Sequence, residues 1–221
     1  MPLVLTWGYD IAPVLISASI PPTIAPMTSS PETPSPPLLT GRLLSIQVGQ
    51  PQPVSYRGKQ VQTGIFKAPV SGPVMVRRLN LDGDGQADLS VHGGIDKAVY
   101  VYPAEHYSAW SAEFKRELPF GQFGENLTLT GLTETQVRVG DVIAIGEALL
   151  RVTQPRLPCF KLGIKMSNQR FLRRFLESGR SGYYCSVVQE GLVESGQEVA
   201  LIESDGASPT VASIVDRMKR Q

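Results

Sequence analysis

The segment Gln154-Pro155-Arg156-Leu157-Pro158-Cys159-Phe160-Lys161 places a thiol among two prolines and two cations. Proline fixes φ near −65° and restricts the residue before it, so Pro155 and Pro158 stiffen a turn leading out of the preceding strand. Arg156 and Lys161 favour the thiolate over the thiol, and the thiolate is the form that attacks electrophiles and binds metals. Against this stands the ordinary fate of a free cysteine, a small apolar filler. His92-Gly93-Gly94 offers a second motif. Its glycines let backbone amides turn toward an anion and its imidazole adds a donor, although a glycine turn with an exposed His is the plainer reading. Phe123-Gly124-Glu125-Asn126 gathers a carboxylate and a carboxamide. Such groups read the edges of a heterocycle, or simply make a turn.

Other patterns fail their templates. Asp82-Gly83-Asp84-Gly85-Gln86-Ala87-Asp88 has alternating carboxylates, but a calcium loop opening at Asp82 needs Gly where Ala87 stands and Glu where Gly93 stands. A tight turn is expected instead. Gly83 and Gly85 are followed by Asp88 where a dinucleotide fingerprint needs its third glycine. No P-loop and no nucleophile elbow occurs. Zinc would have to collect His92, His106, Cys159 and Cys185, whose spacings lack close pairing, and His106 is expected at the surface. Between Arg156 and Arg180 lie Lys161, Lys165, Arg170, Arg173 and Arg174 against one acid, Glu177. These read as a solvated helix face with an Arg173–Glu177 i,i+4 pair, while Arg180-Ser181-Gly182 follows as a turn able to close on a phosphate.

The elements that must hold these residues are mostly short β-prone runs. They are Leu43 to Val48, Gln60 to Phe66, Val74 to Leu79, Val99 to Tyr102, Asn126 to Thr130, Val142 to Ile145, Ala148 to Thr153, Tyr183 to Val188 and Glu198 to Ile202. Such a series predicts a barrel or sandwich. Gly140-Asp141 and Gly146-Glu147 punctuate the later runs, giving a hairpin that ends at the Cys159 turn. Pro103 opens a helix with Tyr107, Trp110, Phe114 and Leu118 on its apolar face, read as core. A second helix runs from an N-cap at Ser167 through Phe171 and Phe175 to Gly179, and a third covers Thr210 to Lys219. Cys185 is expected to pack inside.

Composition bounds the rest. The chain has 221 residues, 42% of them hydrophobic, with a net charge of +1, so no global charge favours nucleic acid or an anionic membrane. Two cysteines do not make a disulfide framework, and a reducing, cytoplasmic setting is expected. The first 39 residues hold nine of the 18 prolines and neither Lys nor Arg. Residues 1–40 are therefore expected to be a disordered Pro-rich extension, without the charge pattern of a signal peptide or the clean apolar length of a membrane span. Met27 is an alternative start.

The order of motifs then becomes informative: Asp88 to Pro103 (DLSVHGGIDKAVYVYP), Phe123 to Leu127 (FGENL), Val139 to Val142 (VGDV) and Gln154 to Lys161 (QPRLPCFK). This series resembles the MOSC family, named for the C-terminal domain of molybdenum cofactor sulfurase, and within it the stand-alone bacterial YiiM-like proteins. Coverage runs from about Gly41 to Glu203. The resemblance implies a mainly β, closed and mostly antiparallel barrel over residues 41–205 with two or three peripheral helices. Residues 206–221 would be a remnant of a helical C-terminal region. It implies Cys159 as catalytic residue and molybdenum ligand in a molybdenum cofactor (molybdopterin). Glu125 and Asn126 would face the pterin, His92, Gly93 and Gly94 would border the pocket, and Arg156, Lys161 and Arg180 would balance the cofactor's charge. The implied function is reduction of N-hydroxylated small molecules, such as hydroxylaminopurine, with electrons from a separate donor protein. The implied alternative is a sulfur carrier that receives a Cys159 persulfide from a cysteine desulfurase.

Overall fold

The computed structural model describes residues 36–87 and 93–220. The expectations for the N-terminal extension, for Met27 and for His92 lie outside the described residues. Among the described residues twelve strands and four α-helices follow in chain order. The strands are β1 (Leu39–Val48), β2 (Gln52–Tyr56), β3 (Lys59–Thr63), β4 (Ala68–Val70), β5 (Val74–Val76), β6 (Val99–Pro103), β7 (Leu127–Thr130), β8 (Val142–Ile145), β9 (Ala148–Pro155), β10 (Tyr183–Gln189), β11 (Gly191–Val193) and β12 (Glu198–Glu203). The helices are α1 (Glu105–Phe114), α2 (Phe160–Lys165), α3 (Phe171–Ser178) and α4 (Val211–Met218).

Seven of the strands close a barrel in the order β1, β7, β6, β10, β9, β8, β12 and back to β1. β1 makes closure possible. Its first residues pair with β12 (Leu39 opposite Leu201), a register shift between Leu43 and Ser45 bends it, and the remainder pairs with β7 and then β4. All pairings around the ring are antiparallel except β6 with β7. Parallel neighbours need a long crossover, and here α1 and the loop that follows it supply one. That crossover delivers Phe123 to Asn126 to the head of β7.

Period-2 patterning builds the interior. In β9, Ala148, Leu150 and Val152 turn inward while Arg151 stays exposed. Cys185 of β10 is fully buried opposite Val152. Each fully buried Val, Leu or Ile contributes about 1.5–3 kcal/mol relative to exposure. A second apolar cluster lies outside the ring, where Tyr107 and Trp110 of α1 and Phe171 and Phe175 of α3 pack on Tyr100, Tyr102 and Phe123. Trp110 and Phe175 stack with centroids 6.0 Å apart, and the indole N–H donates to the Tyr102 hydroxyl at 2.7 Å.

Several boundaries differ from the sequence expectation. β1 starts at Leu39 rather than Leu43, and α1 ends at Phe114 because Lys115 takes a left-handed conformation. Ser167 is no N-cap: its φ is 50°, and α3 begins at Phe171 with Arg170 before it, although Gly179 ends that helix as expected. β2 is missed by pattern because Pro51 and Pro53 argue against a strand; it survives in a two-stranded hairpin with β3 that leaves an edge for the prolines. The Cys159 segment is not only a turn. Cys159 is the N-cap of α2, and its carbonyl accepts from the Leu162 amide at 2.9 Å. Among the described residues no helix is long and apolar enough to cross a membrane.

Candidate functional site

β9 ends at Pro155, and the next residues turn across one end of the barrel into α2. They form one wall of a cleft of about 680 Å³, its open mouth included. Arg156, Leu157, Cys159 and Lys161 line this wall. The end of β3 and its extension (Thr63, Gly64, Ile65 and Lys67) and the turn Asp84 to Ala87 also line the cleft. Lys97, Ala98, Tyr100, Phe123, Gly124, Asn126 and Tyr184 complete the lining. Four cations face one carboxylate there among the described residues. The cleft therefore suits an anionic guest.

Cys159 is half-buried, unlike Cys185, whose thiol is pushed up by burial in the barrel. Its neighbour Arg156 is 4% exposed, and the guanidinium lies 5.5 Å from the centroids of both Tyr100 and Phe175. Burial works against the arginine's charge, but Tyr100, Tyr184 and Cys159 more than offset this and hold its proton above the ordinary value. By reciprocity the same cation favours ionised sulfur. Arg156 Nη1 is buried without a hydrogen-bond partner, which is costly for a charged donor unless a ligand meets it. The ring of Phe160, next to Cys159, stacks on Tyr56 at 5.3 Å and so ties the β2–β3 hairpin to α2.

Asn126 lines the cleft from the head of β7. Its Oδ1 accepts from the Tyr100 amide at 3.1 Å, and its Nδ2 donates to Asp84 Oδ2 at 2.9 Å and to the Gln47 carbonyl at 3.4 Å. Only one lone pair on Oδ1 is left for a guest. Glu125 does not face the cleft. It is fully buried behind the wall, accepting from the amides of Gly121 at 2.7 Å and Phe123 at 3.0 Å, from Thr128 Oγ1 at 3.2 Å and from the Tyr107 hydroxyl. The carboxylate folds its own loop, which is a structural use of a charge. Gly124 belongs to the same device, since its φ is 86° and a Cβ there would meet Ile65 Cγ1 at 2.7 Å.

Arg180 is also not part of the lining; its guanidinium sits 5.1 Å from the Trp110 ring centroid, on the outer aromatic layer. Gly94, with φ 90°, opens the 3₁₀ turn Ile95–Lys97 and donates its amide to Gln86 Oε1 at 2.8 Å, which places it behind lining residue Gln86; Gly93 precedes it. His106 is not a surface residue. Its Nε2 lies 2.7 Å from Glu134 Oε2, and Glu134 Oε1 accepts from the Gly182 amide at 2.6 Å.

Sequence reasoning missed Lys67 and Asp84. Both are buried, ion-paired with each other, and part of the cleft wall. Asp84 Oδ1 accepts from the Gly49 amide at 2.9 Å as well as from Lys67. The available signal was a single lysine inside the apolar run Ile65-Phe66-Lys67-Ala68-Pro69-Val70, which a strand edge would not need. Behind them Lys165 donates to the carbonyls of Ile65 and Gly121, and burial pushes its ammonium down to about 8.

Residues 88–200 match the model of the MOSC domain family. The chain belongs to the MOSC domain family. It is 47% identical over 160 residues to the uncharacterized protein YflK of Bacillus subtilis (strain 168), covering 72% of each chain. The crystal structure of YiiM from Geobacillus stearothermophilus superposes with a TM-score of 0.66 at 36% identity, covering 80% of this chain and 83% of that one. A Gibberella moniliformis protein named Reductase is 34% identical over 185 residues, which are 82% of this chain and 32% of that longer protein. Cys159 and the cleft residues from Lys97 onward lie within the matched span, whereas Thr63 to Lys67 and Asp84 to Ala87 precede it.

Proposed function

We propose that this MOSC protein is an oxidoreductase that reduces N-hydroxylated compounds, with Cys159 ligating molybdenum of a pterin cofactor and an external protein supplying electrons. The observation that carries the proposal is the pairing of a half-buried thiol with a buried guanidinium whose Nη1 has no partner, both lining one cationic cleft. A dithiolene and a phosphate are anionic, and Arg156 and Lys161 would hold them; soft sulfur is the ligand type such a metal takes. Among the described residues no three His, Cys, Asp or Glu converge, so Cys159 would act as the single protein ligand. When bound, the cofactor would supply the two-electron redox step. The chain's own residues set the Arg156 guanidinium beside Cys159, where it would favour the thiolate, and keep Asn126 fixed in the lining. The name of the Gibberella relative supports a reductive reaction, although this chain matches only a third of that protein.

Protein purified from a host that makes the cofactor is expected to contain molybdenum in near-stoichiometric amount by elemental analysis, and Cys159→Ser is expected to lose it. Metal retained by that variant would overturn ligation. A persulfide on Cys159 in protein without molybdenum would replace the proposal with a sulfur carrier served by a cysteine desulfurase.

A further inference from the structure

The Lys67–Asp84 pair is a buried charge pair placed on the wall of a reactive cleft, and nothing in the roles assigned above uses it. Its geometry is specific. Asp84 is held by the Gly49 amide at 2.9 Å and the Asn126 carboxamide at 2.9 Å, so the carboxylate cannot swing away from Lys67 or toward the guest. The Lys67 side chain is 8% exposed and belongs to the lining. Reducing an N-hydroxylated compound to its amine consumes two electrons and two protons, breaks the N–O bond and releases the oxygen as water. Hydroxide is a poor leaving group, so a proton delivered to the departing oxygen by a positioned acid speeds the N–O cleavage.

We infer that Lys67 is that acid: its ammonium donates a proton to the leaving oxygen as the N–O bond breaks, and Asp84 positions it. The inference rests on the proposed reductase reading and deepens it. The second proton goes to nitrogen from solvent, the electrons come from an external one-electron donor used twice, and the neutral Lys67 amine is reprotonated through the cleft mouth.

The other described proton carriers of the lining are less suited. Tyr100 donates its hydroxyl to the Ser181 carbonyl at 2.8 Å, and burial keeps the phenols of Tyr100 and Tyr184 protonated. Arg156 does not release its proton at any working pH. Lys161 stands two residues from the thiol and is assigned to the anionic guest, and Lys97 is only half-buried on its 3₁₀ turn. Lys67 is different. Burial lowers its proton affinity, with Asp84 and, more weakly, Glu125 pulling the other way, and Lys165 is a second cation in the same field. An ammonium of lowered proton affinity is a stronger acid than an ordinary lysine.

The test uses the molybdenum-loaded protein with 6-hydroxylaminopurine and reduced benzyl viologen. Lys67→Met is expected to lower kcat at least about a hundredfold, with molybdenum content and KM within about twofold of the parent. Lys67→Arg, which keeps the charge but not a releasable proton, is expected to fail equally. Lysine Nζ resonances of the cofactor-free parent should include, besides that of Lys165, one that titrates below the surface lysines and is missing in Lys67→Arg. That readout needs no turnover. Full kcat in Lys67→Met, full rescue by Arg, loss of molybdenum in place of kcat, or a Lys67 resonance titrating with the surface lysines would each overturn the inference. Should the variants not fold, the parent's titration and a kcat that falls as Lys67 deprotonates still decide it. A parent protein without molybdenum or turnover would remove the reductase reading itself, and this inference with it.

Discussion

The barrel interior and the aromatic layer beside it treat charge in opposite ways. Inside the ring the cluster is Val, Leu, Ile and Ala with Cys185 and the ring of Tyr183, and the buried carboxylates that border it, Glu134 and Asp141, sit in the loop before β8. Outside it, Tyr100, Tyr102, Tyr107, Trp110 and Phe123 share their cluster's borders with buried Glu125, Arg156 and Lys161. Aliphatic side chains offer an ion nothing but desolvation. Aromatic ones offer hydroxyl and N–H partners at their edges and an attractive face to cations, as Arg156 finds between Tyr100 and Phe175. The two cysteines make the contrast concrete: the one in the aliphatic region is held as thiol, and the one beside the aromatic region sits next to a guanidinium. A reactive cleft is thus built where the packing tolerates ions.

The contrast can be broken most severely at Trp110, which is fully buried and contacts Phe171, Phe175 and the Arg174 and Arg180 guanidiniums. Trp110→Ala is expected to cost about 3–5 kcal/mol in urea unfolding, and a loss under about 1 kcal/mol would show that the layer is not a cooperative unit. Replacing sulfur by oxygen separates the two regions next. Cys185→Ser puts a hydroxyl among aliphatic side chains and should cost about 1–3 kcal/mol, whereas Cys159→Ser in cofactor-free protein should stay within about 0.5 kcal/mol. Equal costs would erase the distinction.

Lys165 sharpens it through pH. Its folded-state value of about 8 lies below the ordinary 10.5, so the unfolded chain binds that proton more tightly. Its charge therefore destabilises the fold fully below pH 8, and this cost is relieved as pH rises from about 8 to 10.5. Relative to Lys165→Met, the parent protein should gain on the order of 1–3 kcal/mol across that window. A flat difference would mean that the ammonium is better solvated than its burial indicates. The smallest effect is expected at Arg173, whose pair with Glu177 spans 2.7 Å on a largely exposed helix face. Arg173→Ala should change stability by no more than about 0.5 kcal/mol.

Much of the fold was legible because strands and turns leave local marks. The β8–β9 hairpin follows from Gly146-Glu147 between two alternating runs, and the end of α3 follows from Gly179 in a left-handed conformation. The Arg173–Glu177 pair is a spacing argument and stands as such. The site was legible in part. Cys159, Arg156 and Lys161 are neighbours in sequence and share one wall, and Asn126 joins them from a distant motif. Glu125 shows the limit of motif reading: the residue beside Asn126 points the other way, because consecutive residues entering a strand face opposite sides. His106 likewise looks like a surface residue until Glu134, 28 positions away, is brought beside it.

The sequence by itself determined where strands, turns and helix ends fall and which thiol has cations for neighbours, since these depend on residues within a few positions of each other. The tertiary structure alone decided that Lys67 and Asp84 meet on the cleft wall, that Glu125 withdraws behind it and that Arg156 keeps one buried N–H pair unmatched. Those outcomes depend on barrel closure through β1 and β12 and on the α1 crossover. Both set distances between segments far apart in the chain, and the balance between desolvation and pairing exists only once those distances are set.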